Sequence, residues 1–263
     1  MAQTFRYPEI LNIARREGKV TVEGLAEHFG VTLQTIRRDL SDLADSGKLE
    51  RVHGGAIIAS GSANIAYLDR RTLNLSGKVD IARACAAQLP DNCSIFINIG
   101  TTTEAVANEL LSHHQIMVVT NNMNVANILI QNENCQVHVT GGTLRRADGG
   151  LIGSLTTETI RSFKFDYAVI GCSALDVDGD ILDFDIAEVD VSQTIIHQTR
   201  KVFLVADHTK FQRNAPARIG SLSNIDHLFT DRPIDPALQA ACDGWGTSVV
   251  VAGLKERRSK SQS

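Results

Sequence analysis

Flat side chains are scarce in this chain, with one tryptophan, three tyrosines and nine phenylalanines among 263 residues. That scarcity argues against a binder of single-stranded nucleic acid, which needs ring faces for bases to stack on. Cysteine is sparse as well. Cys85, Cys93, Cys135, Cys172 and Cys242 form no CxxC pair and no His/Cys ligand spacing, so they read as buried small hydrophobes and no metal is expected. No apolar stretch approaches the roughly 18 residues of a membrane span, and no apolar signal segment follows Met1. Together with the odd cysteine count, this sets the expectation of a reducing, cytoplasmic setting without a membrane partner. A surplus of positive charge is also missing. The formal net charge is −4. Up to Ser60 the cations Arg6, Arg15, Arg16, Lys19, Arg37, Arg38, Lys48 and Arg51 are matched by Glu9, Glu17, Glu23, Glu27, Asp39, Asp42, Asp45 and Glu50. Contact with a polyanion must therefore rest on where particular arginines point, because phosphate needs local positive potential.

What is present is ordinary globular composition, 43% hydrophobic and 21% charged. The length suits two domains of roughly 100 to 200 residues or fewer each. Three short helical patterns and a glycine-containing hairpin occupy residues 1–58. A small, polar stretch begins at Ala59 and runs through Ser60, Gly61, Ser62, Ala63 and Asn64, so 59–75 reads as a linker. Residues 76–253 alternate β-rich apolar runs with amphipathic helices, as in Ser94 to Asn98, Ile116 to Thr120, Gln136 to Thr140, Tyr167 to Gly171, Val202 to Ala206 and Thr247 to Val251. Such alternation implies an α/β domain with a mostly parallel sheet covered on both faces. The polar, basic residues 254–263 read as a frayed tail.

In the first domain Ile10, Leu11, Ile13 and Ala14 give one apolar stripe, ended by Gly18. A second helix starts at Thr21 or Val22, and Phe29, Gly30 and Val31 form the turn, with Gly30 free to take positive φ. Thr32 is the expected N-cap of a third helix. There Ile36, Leu40 and Leu43 fall on one core-facing arc, which leaves Gln34, Arg38 and Ser41 opposite, with Thr35 and Arg37 on the shoulders. Early turns of such a helix enter the major groove, where Gln pairs with adenine and Arg with guanine. Residues Lys48 to Ile57 then read as a two-stranded wing from which Arg51 and His53 reach phosphate or the minor groove. The expected partner is double-stranded operator DNA.

In the second domain the loop Asn98, Ile99, Gly100, Thr101, Thr102, Thr103 lies between a strand and a helix, exposing backbone N–H groups and hydroxyls suited to a phosphate. Further strand ends join it: Thr120, Asn121 and Asn122; Gly141 and Gly142; and Asp207 with Lys210. In open α/β sheets these ends line the ligand crevice. Lys210 suits phosphate neutralisation, and Asp207, Asn121 or Asn122 suit hydroxyls. Arg145, Arg146 and Asp148 form a further cluster that either gates the crevice or mediates assembly. The acidic run from Asp176 to Asp190 lacks the ligand spacing of a calcium loop and reads as a turn and helix start, with Glu188 left as a ligand-side carboxylate.

These residues resemble the DeoR family of bacterial repressors, through Thr35-Ile-Arg-Arg-Asp-Leu40 and Arg51-Val-His-Gly-Gly-Ala56. The resemblance continues through Ile99-Gly-Thr-Thr102, Thr120-Asn-Asn122, Gly141-Gly142, Asp148-Gly-Gly-Leu-Ile-Gly153 and Asp207-His-Thr-Lys-Phe211, and so covers nearly the whole chain. It implies a winged helix-turn-helix joined to a sensor related to ribose-5-phosphate isomerase, a homodimer or homotetramer on paired sites, and release of DNA when a small phosphorylated metabolite binds, glycerol 3-phosphate or a sugar phosphate. No cofactor and no catalysis are implied. Asn98 stands where relatives usually carry Asp, and Ser192, Gln193 and Thr194 replace a more basic segment. An amide is no general base at neutral pH, which weighs against the rival reading of a sugar-phosphate isomerase with an accessory DNA domain.

Overall fold

A computed structural model describes residues 3–17, 19–46, 48–52, 54–58 and 67–253. The first domain runs α1 (Gln3–Glu17), β1 (Lys19–Thr21), α2 (Val22–Phe29), α3 (Leu33–Asp45), β2 (Leu49–Val52) and β3 (Gly55–Ile58). Its helices close on one core in which Ile10, Ala14, Ile36, Leu40 and Leu43 are fully buried. Capping follows from the sequence. Thr21 Oγ1 accepts from the Gly24 amide at 3.1 Å, and Gly30 ends α2 at φ 63°, a conformation open to glycine without steric cost. The wing has one strand more than the sequence suggests. β1 pairs antiparallel with β3, Val20 opposite Ala56, so the sheet order is β1-β3-β2. Three residues are too few to show alternation.

The second domain begins with α4 (Tyr67–Thr72), inside the stretch read as linker, and α5 (Leu75–Ala86). There follow β4 (Ser94–Ile97), α6 (Thr101–Glu109), β5 (Ile116–Thr120), α7 (Met123–Leu129), β6 (Cys135–Val139), the hairpin β7 (Thr143–Leu144) and β8 (Leu151–Ile152), α8 (Ser154–Arg161), β9 (Phe165–Ile170), β10 (Ala174–Leu175), β11 (Asp180–Asp183), α9 (Ile186–His197), β12 (Thr199–Val205), β13 (Ala217–Ser221), β14 (His227–Thr230), α10 (Pro236–Trp245) and β15 (Ser248–Val251). Seven strands form a wholly parallel sheet in the order β15-β14-β12-β9-β4-β5-β6. Both faces are covered. Along β4, Ile95 and Ile97 pack under α5, α6 and α7, whereas Phe96 packs with α8, α9 and α10. Each such fully buried side chain contributes roughly 1.5 to 3 kcal/mol.

From β4 the chain winds outward through β5 and β6, then returns to β9 on the other side of β4. The switch point is therefore the gap between β4 and β9, and the Gly100 loop sits above it. Ligands of open α/β sheets bind at this position. A small antiparallel sheet, β10-β11-β13, stands beside it. Cys85, Cys172 and Cys242 are buried as expected, but Cys93 and Cys135 are only half-buried.

Close approach fixes one glycine. A Cβ on Gly55 would lie 1.8 Å from the Val20 carbonyl oxygen across the β1–β3 pair. Gly55→Ala should therefore pry the wing from β1 and lower stability by roughly 1 to 3 kcal/mol. Thermal unfolding checks this, and an unchanged midpoint would contradict the assigned register.

Candidate functional site

Helix α3 starts where Thr32 Oγ1 accepts from the Thr35 amide at 3.2 Å, with the two hydroxyls 2.9 Å apart. Gln34, Arg37, Arg38 and Ser41 are exposed and Thr35 is half-buried, so the polar ridge does project. The buried arc is wider than the apolar spacing indicates. Asp39 is fully buried, and Arg6 Nε of α1 donates to its Oδ2 at 2.7 Å. Three residues on, Asp42 Oδ2 accepts from the Tyr7 hydroxyl at 2.7 Å, and that bond is the main reason the phenol is pushed up to about 12. Two anions that balance the charge count are thus turned toward α1. Sequence reasoning missed this because a charged side chain at an i+3 position beside Ile36 reads as solvent-facing.

Arg51, expected at phosphate or the minor groove, is exposed and also braces α3. Its Nη1 donates to the Arg37 carbonyl at 3.0 Å and to Ser41 Oγ at 3.1 Å, while Ser41 Oγ donates to the same carbonyl at 3.0 Å. His53 lies outside the described residues. The ridge that faces outward holds Gln34, Arg37, Arg38 and Ser41.

The crevice at the switch point gathers Asn98, Gly100, Thr101 and Thr102 with Glu188 and Lys210, all foreseen, and adds Arg70, Asp148, Asp183, Ser173 and Ser192. Gly100 caps α6 at φ 145°, and Thr103 Oγ1 donates to the Asn98 and Gly100 carbonyls at 2.7 Å each, which shapes the loop. The first amides of α6 have no helical acceptor and are open to an anion. The Asn98 amide is pinned: Oδ1 accepts from the Ile99 amide at 2.7 Å, and Nδ2 donates to Ser192 Oγ at 3.0 Å. Asn98 and Ser192 are therefore in contact.

Positive charge collects nearby. Lys210 is 9% exposed, Lys78 3% and Arg213 9%. Burial pushes each ammonium down to about 8, with neighbouring guanidiniums adding to the effect and Asp207 opposing it; burial lowers Arg213 as well. Asp207 is partly spent, since its Oδ1 accepts from the amide and the hydroxyl of Thr209 at 3.0 and 2.5 Å. It acts on the crevice through Lys210. Carboxylates gather around Arg145 in and beside the same crevice. Arg145 holds Asp148 at 2.5 Å, Asp185 at 2.8 Å and, closer still, Glu188. Burial and Asp183 push the Glu188 carboxyl up to about 7 against the pull of Arg145.

Four other expected residues brace the site from outside its lining. Thr120 Oγ1 donates to the Ile97 carbonyl at 2.6 Å, Asn121 Nδ2 to the Leu151 carbonyl at 3.1 Å and Asn122 Nδ2 to Glu104 at 3.2 Å. Gly141 lies under Leu155. Strand-end position alone does not distinguish lining from bracing. Arg70, Lys78 and Arg213 come from three separated segments, and no motif or spacing in the sequence links them.

A winged reading helix in one chain with a parallel α/β domain whose switch-point crevice carries buried cations defines a ligand-responsive DNA-binding regulator. The chain belongs to the DeoR family: residues 6–61 match the DeoR-like helix-turn-helix domain and residues 73–232 the DeoR C-terminal sensor domain. It is 45% identical over 233 residues to the glycerol-3-phosphate regulon repressor of Escherichia coli (strain K12), covering 89% of this chain and 92% of that one. The corresponding repressor of Haemophilus influenzae is 44% identical, over 88% and 90% of the two chains. The HTH-type transcriptional repressor CsqR of Escherichia coli (strain K12) is 38% identical, over 89% and 90%. Among solved structures, ribose 5-phosphate isomerase A from Methanocaldococcus jannaschii overlaps 52% of this chain and 55% of its own with a TM-score of 0.40 and 11% identity. Among the described residues no helix is long and apolar enough to cross a membrane.

If Arg38 reads a base, Arg38→Ala should weaken binding to a selected duplex by roughly 1 to 3 kcal/mol and relax preference at one position. Binding isotherms on matched and mismatched duplexes measure both, and an unchanged footprint removes Arg38 from the reading set.

Proposed function

We propose that this repressor grips paired operator sites as a homodimer or homotetramer, and that a small phosphate ester in the switch-point crevice releases it. Glycerol 3-phosphate is the first candidate, as the relatives' names suggest. The observation that carries the reading is Lys210, buried in the crevice above the Gly100 loop, with no carboxylate within ion-pair distance among the described residues. An unpaired buried ammonium is costly, and a dianion repairs it. Asp183, Glu188 and Ser192 of the lining supply acceptors for the hydroxyls of a short polyol chain. Binding without turnover fits the pinned Asn98 amide, and the chain acts as a regulator in the cytoplasm.

Glycerol 3-phosphate should lower affinity for operator DNA in the wild type, and Lys210→Met should abolish the response while leaving DNA affinity unaltered. Fluorescence anisotropy with and without the ester decides it. A wild-type protein indifferent to glycerol 3-phosphate and to three- to six-carbon sugar phosphates ends the reading.

Protonation gives a second check. A lysine whose folded value falls from 10.5 to about 8 binds fewer protons folded than unfolded between those values, so its burial costs stability at neutral pH, and that cost fades as pH rises from about 8 to 10.5. Anion binding has the opposite sign, because it needs the charged form. Ester affinity should fall by roughly 10- to 100-fold as pH rises through 8, with proton uptake on binding near that pH. Calorimetry in two buffers of different ionisation heat measures the uptake, and a pH-independent affinity excludes Lys210 as the phosphate partner.

A further inference from the structure

Helix α4 contributes nothing that spacing or motif assigns to a site, yet two of its side chains, one turn apart, are tied into the sensor. The Tyr67 hydroxyl donates to Glu104 of α6 at 2.8 Å and accepts from Asn124 Nδ2 of α7 at 2.9 Å. Burial and the bond to Glu104 push this phenol up to about 12, so it remains a donor. Arg70 lines the crevice, and its carbonyl accepts from Lys78 Nζ.

The Arg70 guanidinium is poorly satisfied. Asp148 Oδ2 lies 3.7 Å away, longer than a hydrogen bond, because Arg145 already holds both Asp148 oxygens at 3.0 and 2.5 Å. Arg70 Nε is buried with no partner. Its other neighbours are like-charged: Lys78, Lys210 and Arg213. Of these cations Arg70 is the one that lies nearest in sequence to the DNA-reading domain, and residues 59–66 alone separate α4 from the last wing strand.

We infer that α4 reports the occupancy of the crevice: Arg70 exchanges its loose contact with Asp148 for the ligand's phosphate, α4 shifts about the Tyr67 anchor on α6 and α7, and the shift passes along the chain to the DNA-reading domain. The inference rests on the crevice taking a phosphate ester. A ligand moves such an equilibrium only by contacts that differ between its two states, and the Arg70–phosphate bond is one such contact.

The test uses the full chain, glycerol 3-phosphate as probe and a duplex selected by the wild type from a random pool. Calorimetry reads ester affinity, and anisotropy reads duplex affinity with and without the ester. Their ratio in the wild type, expected at roughly 5- to 150-fold, is the coupling factor. Tyr67→Phe should bind ester and duplex as the wild type does, with coupling falling toward unity. Arg70→Gln, which leaves the Tyr67 bonds alone and guards against misfolding of the first variant, should bind the ester about 10- to 100-fold more weakly and lose coupling even at saturating ester. Wild-type coupling in both variants overturns the assignment of α4. Ester heat in the wild type without any change in duplex affinity overturns it too and leaves the crevice's ligand class standing, whereas absence of heat overturns the ligand reading on which it rests.

Discussion

The burial of Lys210 in the crevice, beside Arg70 and Arg213 and with no carboxylate within ion-pair distance among the described residues, is the constraint on which the sensor domain turns. An ammonium or guanidinium taken out of water costs several kcal/mol unless it is paired, and Asp207, the acid nearest in charge interaction, is shared with Thr209. The site persists because seven parallel strands and the helices on both faces supply ample apolar burial around it. Arg145 limits how far the carboxylates neutralise the cations, because it holds Asp148 and Glu188, and Asp148 approaches Arg70 only to 3.7 Å.

The DNA-reading domain solves the converse problem. Its charge sums to zero, yet a polyanion requires a positive face. Asp39 is buried against Arg6 and Asp42 is hydrogen-bonded to Tyr7 of α1, while Arg37 and Arg38 remain exposed. The potential that matters is local, set within about a Debye length of roughly 8 to 10 Å. Neutral composition and a cationic edge are therefore compatible. These contacts, with that of Arg51 to the Arg37 carbonyl, stiffen α3 against α1 and the wing, so the reading residues are presented by a preorganised scaffold and less ordering entropy is lost on binding.

Linking the halves is a short helix that composition reads as linker. Its small size and mixed polarity give no periodic signal, and its order comes from Tyr67 and Arg70 meeting partners 37 and 78 residues further along the chain. Local propensity does not report contacts of that range. Similar reasoning accounts for β1 and β14, a three-residue and a four-residue strand whose existence depends on neighbours already in place.

By itself the sequence determined the apolar arc of Ile36, Leu40 and Leu43, the caps at Thr32 and Gly30, the alternation that makes a parallel sheet, and the Gly100 loop at a strand end, because each depends on residues within a turn or two of one another. Only the tertiary structure decided which strand ends line the crevice and which merely brace it, that Arg51 hydrogen-bonds to α3, and that Arg70 and Arg213 lie beside Lys210. Those outcomes depend on electrostatic and packing terms between segments far apart in the chain, and such terms leave no period in the sequence.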